Sequence, residues 1–242
     1  MIAIFKKELN HFFSSLIGYL SIGIFLLITG SLLWFFKGGV LDYGYATLES
    51  LFNLAPVVFL ILIPAVTMRS FSEEKNMGTL ELLMTKPLRD IDIILGKYLA
   101  ALVLVIFSIL PTFIYFYSVY KLGAPVGNID TGGVWGSYIG LLFLGASFTA
   151  IGIFCSTLSS NQIVAFILAA SLCAATYWLF DIISDFPMFS NGLDYFIQQL
   201  GINAHYKSIS RGIVDTRDII YFLSVIVLFL AGTKTVLESR KW

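Results

Sequence analysis

The chain has 242 residues, of which 58 % are hydrophobic and 12 % charged, and its mean hydropathy is +0.88. Soluble domains are roughly 45–50 % apolar and about 25 % charged, so the composition excludes a soluble globular domain. Basic and acidic residues balance at 15 each, which leaves no electrostatic footprint for nucleic acid.

The apolar residues form long continuous runs rather than an alternation. That pattern excludes a transmembrane barrel and predicts an all-α integral membrane protein. A bilayer core about 30 Å thick takes roughly 20 apolar residues per helix, and six such spans are expected. Lys6 and Lys7 precede the first, over residues 16–36, which is too long for a signal-peptide core and has no A-x-A site after it. The second covers 51–68 and contains Pro56 and Pro64.

Between the second and third spans lies the densest charge cluster in the chain, with Arg69, Glu73, Glu74, Lys75 and Glu81. Met77, Leu80 and Met84 fall on one helical face and Glu74, Gly78 and Glu81 on another, so a short amphipathic helix along the membrane is expected. Pro87 ends it, because proline disfavours helix at Lys86. Glu73, Glu74 and Glu81 are the leading functional candidates: carboxylates that grip a partner through charge-assisted bonds, or the solvated face of an interfacial helix.

The third span is expected over 91–120, with Asp90 as N-cap and Pro111 inside it. Pro64 and Pro111 interrupt the hydrogen-bond ladder as hinges or tolerated kinks, and kinks are favoured. Gly127 to Asp130 reads as a turn. The fourth span, 135–158, has Gly136 and Gly140 at small-xxx-small spacing, with Gly145, Ala146, Ala150 and Gly152 following. Such positions let helices approach closely, within one subunit or across a homodimer, and the spacing leaves both open.

The short link near Ser159 to Gln162 makes an antiparallel hairpin with the fifth span, 163–180. Cys155 and Cys173 lie inside apolar runs and read as small core residues rather than a disulfide. The longest polar segment, 181–218, carries a candidate short helix at Asp194 to Leu200 and a mixed-charge stretch from His205 to Asp218. There His205, Arg211 and Asp215 are candidates for an extracytoplasmic contact. The same stretch could be an ordinary interface anchor in which Asp215 or Thr216 caps the sixth span, 219–233.

Ten of the basic residues fall in segments on the side of the N-terminus and five on the other, which predicts both termini in the cytoplasm. His11 and His205 then lie on opposite sides of the membrane, so no metal site is expected. The chain has no GxxxxGK[ST], HExxH or GxSxG motif, and its spans read as essentially free of ionisable groups. A membrane-embedded enzyme therefore lacks a recognisable nucleophile, base or metal set. Transport work needs an external motor.

The six spans and the segment Glu73-Glu74-Lys75-x-x-Gly78-Thr79-Leu80-Glu81 after the second one resemble the ABC-2 exporter permeases. Over nearly the whole chain the resemblance extends to the permease subunits associated with gliding motility in Bacteroidetes-type bacteria. It rests on Phe5 to Leu9, Gly18 to Leu20, Ile63 to Arg69, Gly127 to Asp130, Asn161 to Phe166, His205 to Asp218 and Arg240 to Trp242. The resemblance implies a type V exporter-like architecture in the inner (cytoplasmic) membrane. It implies a cytoplasmic coupling helix in which Glu73, Glu74, Gly78, Thr79 and Glu81 meet a separate ABC ATPase. It also implies a second permease copy or paralogue, and no cofactor in this chain, with ATP and Mg held by the ATPase. The alternative function is a non-transporting mechanotransmission or scaffold subunit of a motility or secretion assembly.

Overall fold

The structure, a computed structural model, describes residues 1–36, 39–84, 88–186 and 192–239. Within them the chain is helical, with no strand. In chain order the helices are α1 (Ile2–Ser14), α2 (Leu16–Trp34), α3 (Val40–Tyr43), α4 (Glu49–Thr67), α5 (Arg69–Asn76), α6 (Thr79–Met84) and α7 (Asp90–Ile109). There follow α8 (Phe113–Leu122), α9 (Thr131–Leu158), α10 (Gln162–Ala174), α11 (Phe180–Ser184), α12 (Leu193–Gln198), α13 (Ile202–Ser210) and α14 (Thr216–Glu238).

Five helical stretches are long and apolar enough to cross a bilayer: 49–76, 90–122, 131–158, 162–184 and 216–238. A sixth candidate is the pair α1 and α2, which together are long and apolar enough but meet at a bend of 63°. The bend falls at Ser15, whose backbone is extended, and Ser15 N–H still bonds back to His11 O at 3.1 Å. The polar α1 was not expected. Its buried residues are Ile4, Glu8 and Phe12, a single i, i+4, i+8 stripe that packs on α7 and α2.

The helices reach beyond the apolar runs because hydropathy sees only their oily centres. Asp130 caps α9 four residues before Val134, its carboxylate accepting from Gly133 N–H at 3.1 Å. Asp215 caps α14 in the same way, accepting from Arg217 N–H at 3.0 Å, which decides the choice between Asp215 and Thr216. Asp90 is not the cap of the third span. Arg89 takes that place with an extended backbone, and Asp90 is the first helical residue.

Pro64 sits within α4 without ending it, and the ladder resumes with Met68 N–H to Pro64 O at 2.9 Å. Pro111 lies in a 3₁₀ turn, Leu110–Thr112, that joins α7 to α8. The fifth span carries a π-helical turn, Ala175–Leu179. The expected short outer helix is present as α12. The expected helix stop at Pro87 and the motif Arg240 to Trp242 lie outside the described residues.

α9 is the most deeply buried span and packs against α4, α7, α10, α13 and α14, whereas α14 is the least buried. Three apolar clusters hold the bundle. One of them gathers Ile4 of α1, Phe71 of α5, Leu80 of α6, Ile93 of α7, Ile153 of α9 and Leu237 of α14. The N-terminal helix, the charged segment after the second span and the end of α14 therefore meet at one end of the bundle. Cys155 and Cys173 are buried free thiols in the main core.

Candidate functional site: a charged lever at one end of the bundle

The helix of the second span does not stop at the end of its apolar run. α4 runs through Met68 straight into α5, so the charged segment is a stiff continuation of a span. Gly78 then takes a left-handed φ of +68°, closing α5 with Gly78 N–H to Lys75 O at 3.2 Å. α6 starts afresh at Thr79. The single amphipathic helix expected from sequence is thus two short helices, and its two faces do not survive the break. Leu80 is buried while Met77 is 66 % exposed, so they share no face. Glu74 turns inward while Gly78, Thr79 and Glu81 are exposed. The side chain of Met84 is outside the described residues.

Glu74 is held from inside. Its Oε1 lies 3.0 Å from Lys97 Nζ and 3.1 Å from Lys7 Nζ. Lys97, on α7, is 2 % exposed and also lies 2.9 Å from Glu8 Oε1 on α1, and Lys7 lies 3.5 Å from the same oxygen. The Lys97 ammonium donates a third bond to Ser70 O at 2.6 Å and sits 5.1 Å from the Phe71 ring centroid. Two cations and two carboxylates alternate, so each charge taken from water is compensated, the condition under which a buried ion cluster is tolerated. Burial works against the Lys7 charge, but Glu74 and then Glu8 outweigh it and raise its pKa above the ordinary 10.5.

A second tie secures the other side of α5, where Lys75 Nζ donates to Thr157 O at the end of α9. The segment is therefore fastened to α1, α7 and α9 while α6 presents its polar residues outward. Glu73, half-buried, lines a pocket of about 480 Å³ between α1 and α5.

A family model described as ABC-2 family transporter protein matches residues 2–241. The chain belongs to the ABC-2 family of transporter proteins. Its fold and its apolar helices make it a multi-pass membrane permease subunit. A comparison with curated proteins returns no match.

The other sites expected from sequence fall at the far end and in the middle of this ABC-2 protein. The α9 glycines serve packing within the chain. Gly136 faces Ile209 and Gly212, Gly140 faces the Tyr206 ring, and a Cβ on Gly145 would come within 2.7 Å of Val105 Cγ1. At the far end His205 is buried, its Nδ1 2.6 Å from Asp218 Oδ1 and its Nε2 2.9 Å from Gln199 O. Arg211 and Asp215 are exposed and are not brought to His205 by any recorded bond.

Glu8 and Lys97, which complete the cluster around Glu74, are not among the site residues that the sequence pattern singles out. Lys97 is the lone cation within the helix that opens the third apolar run, a signal present in the sequence.

Proposed function

We propose that this permease subunit works in an export complex driven by a separate ABC ATPase, which holds ATP and Mg and bears on α5 and α6. The supporting observation is the fastening of α5: a charged segment continuous with one span is clamped by Glu74 and Lys75 to three other helices. Force on it therefore enters the bundle as a rigid displacement rather than being lost in a loose loop. Glu73, Gly78, Thr79 and Glu81 are the contact. Glu74 fixes the lever from behind.

The end of the bundle that holds this lever is the cytoplasmic one, with both termini there, in the inner membrane. A second copy or a paralogue completes the pathway. The whole-length resemblance supports a complex linked to gliding motility or secretion. Buried acidic and basic side chains, Glu8, Lys97, His205 and Asp218, lie only toward the two ends of the bundle among the described residues. An apolar midplane favours a lipid-like cargo, or a subunit that transmits force without moving solute.

Co-purification of the chain with its ATPase tests the coupling. Glu73→Lys with Glu81→Lys lowers ATPase recovery while thermal stability holds. Unchanged recovery and unchanged transport with both charges reversed overturns the assignment. ATP-dependent lipid or solute movement in reconstituted vesicles separates a transporter from a pure transmitter.

A further inference from the structure

Arg69 and Glu74 both line the α1–α5 pocket, and each carries a buried polar atom without a partner among the described residues: Arg69 Nε and Glu74 Oε2. One is a donor and the other an acceptor. Buried groups of this kind are ordinarily satisfied, and each unpaired one calls for a ligand or water. The charged side chains around the pocket also balance. Lys7, Arg69 and Lys97 stand against Glu8, Glu73 and Glu74. A purely anionic or purely cationic ligand is disfavoured there, whereas a molecule carrying both charges is matched.

The pocket adjoins a second cavity that carries no charged side chain. A groove of about 430 Å³ runs between the spans α2 and α4 and is almost wholly apolar, and Val66 lines both cavities. Its walls include Leu20, Ile24, Val57 and Ile61, whose side chains are 37–63 % exposed on the bundle's lipid-facing surface. A charge-balanced pocket at the membrane boundary thus borders an oily groove along two spans, with Val66 on both.

From this juxtaposition we infer a binding site for one zwitterionic phospholipid with a primary amine head group. The phosphate oxygens accept from the Arg69 guanidinium, the amine donates to Glu74 Oε2, and an acyl chain lies in the α2–α4 groove. The amine must carry N–H bonds, because a carboxylate oxygen that lacks a donor gains none from a quaternary ammonium. The site bridges α1 and α5, and occupancy stiffens the junction between them. The inference does not depend on the ATPase assignment, since lipid retention needs no motor.

The test is native mass spectrometry of the purified full-length chain. It is delipidated and offered phosphatidylethanolamine, phosphatidylcholine and phosphatidylglycerol of identical chains. Phosphatidylethanolamine is retained roughly tenfold over the other two, as expected for a charge-assisted bond that only it makes. Glu74→Gln abolishes that preference, whereas Arg69→Gln, which removes a contact to the phosphate common to all three, lowers retention of all three alike. Ala65→Phe, which fills the groove, reduces retention of all three. Glycerophosphoethanolamine, the head group without chains, does not compete at matched concentration. Equal retention of the three lipids by the unaltered chain, or a preference for phosphatidylglycerol, overturns the site. So does effective competition by the chainless head group.

Discussion

Lys97 and Glu8 are 89 residues apart in sequence and 2.9 Å apart in space, joining the third span to the N-terminal helix in a place where Lys97 is almost fully enclosed. Glu74 shares the same ammonium at 3.0 Å. Removing the cation strands two carboxylates beside a single remaining lysine. Breaking a buried ion pair from one side costs about 3–5 kcal/mol, and Lys97→Met falls toward the lower figure because Lys7 stays in place. Thermal unfolding in detergent measures the loss. Glu8→Gln added to Lys97→Met costs less than the two separate losses combined, since both delete one shared interaction. Strict additivity would show that the cluster is not one unit.

Lys7 gives the cluster a pH signature. Its pKa in the folded chain is raised above 10.5, because the carboxylates of Glu74 and Glu8 outweigh the opposing effect of burial. A raised ammonium pKa stabilises the fold fully below the unfolded value, and the contribution disappears as pH climbs through the folded one. The gap in Tm between the natural chain and Lys7→Met is therefore constant through neutral and mildly alkaline pH and narrows above about 10.5. Melting curves from pH 8 upward measure it. A gap that widens in that range contradicts the assignment.

The spans were legible because each is a long apolar run, and lipid leaves the backbone no choice but helix. What escaped were helices whose buried stripe is not wholly apolar. In α1 the inward positions are Ile4, Glu8 and Phe12, and a glutamate in the middle erases the hydropathic signal. In α13 the inward residues include Asn203 and His205 beside Ile202, Tyr206 and Ile209. Both stripes keep helical spacing. Their polar members are paired by residues far away in sequence, Lys97 and Asp181 or Asp218, which no local pattern reveals. The charged segment after the second span was located correctly, but its inner geometry depended on the left-handed turn at Gly78.

The α9 glycines separate packing within the chain from packing between copies. A side chain on Gly145 meets Val105 and Phe59 of the same chain. Gly145→Val forces these neighbours apart, and overpacking of this kind costs about 1–3 kcal/mol. The loss is the same at every protein concentration, whereas a glycine at a subunit interface would give a loss that changes on dilution. Gly23 of α2 supplies the control, because nothing lies within 4 Å of a Cβ built there. Gly23→Ala is neutral or gains up to about 1 kcal/mol from helix propensity.

The far end of the bundle holds a second polar pair that anchors α13 to α14. Gln199 O can only accept, so His205 Nε2 carries a proton. Nδ1 faces a carboxylate oxygen of Asp218, and the ring stacks on Tyr221 with centroids 3.8 Å apart. Asp218→Ala leaves His205 Nδ1 buried without its partner and costs about 1–3 kcal/mol, the desolvation of an unpaired polar group. Arg211→Ala, at an exposed site with no such partner, stays within about 0.5 kcal/mol. Asp215→Ala removes the cap of α14 and lowers Tm by frayed-helix loss alone. Its carboxyl is held below the ordinary range chiefly by the Arg217 N–H, so the cap persists until strongly acid pH. If instead Arg211→Ala proves the most damaging of the three while Asp218→Ala is silent, the outer stretch is a contact surface and not an anchor.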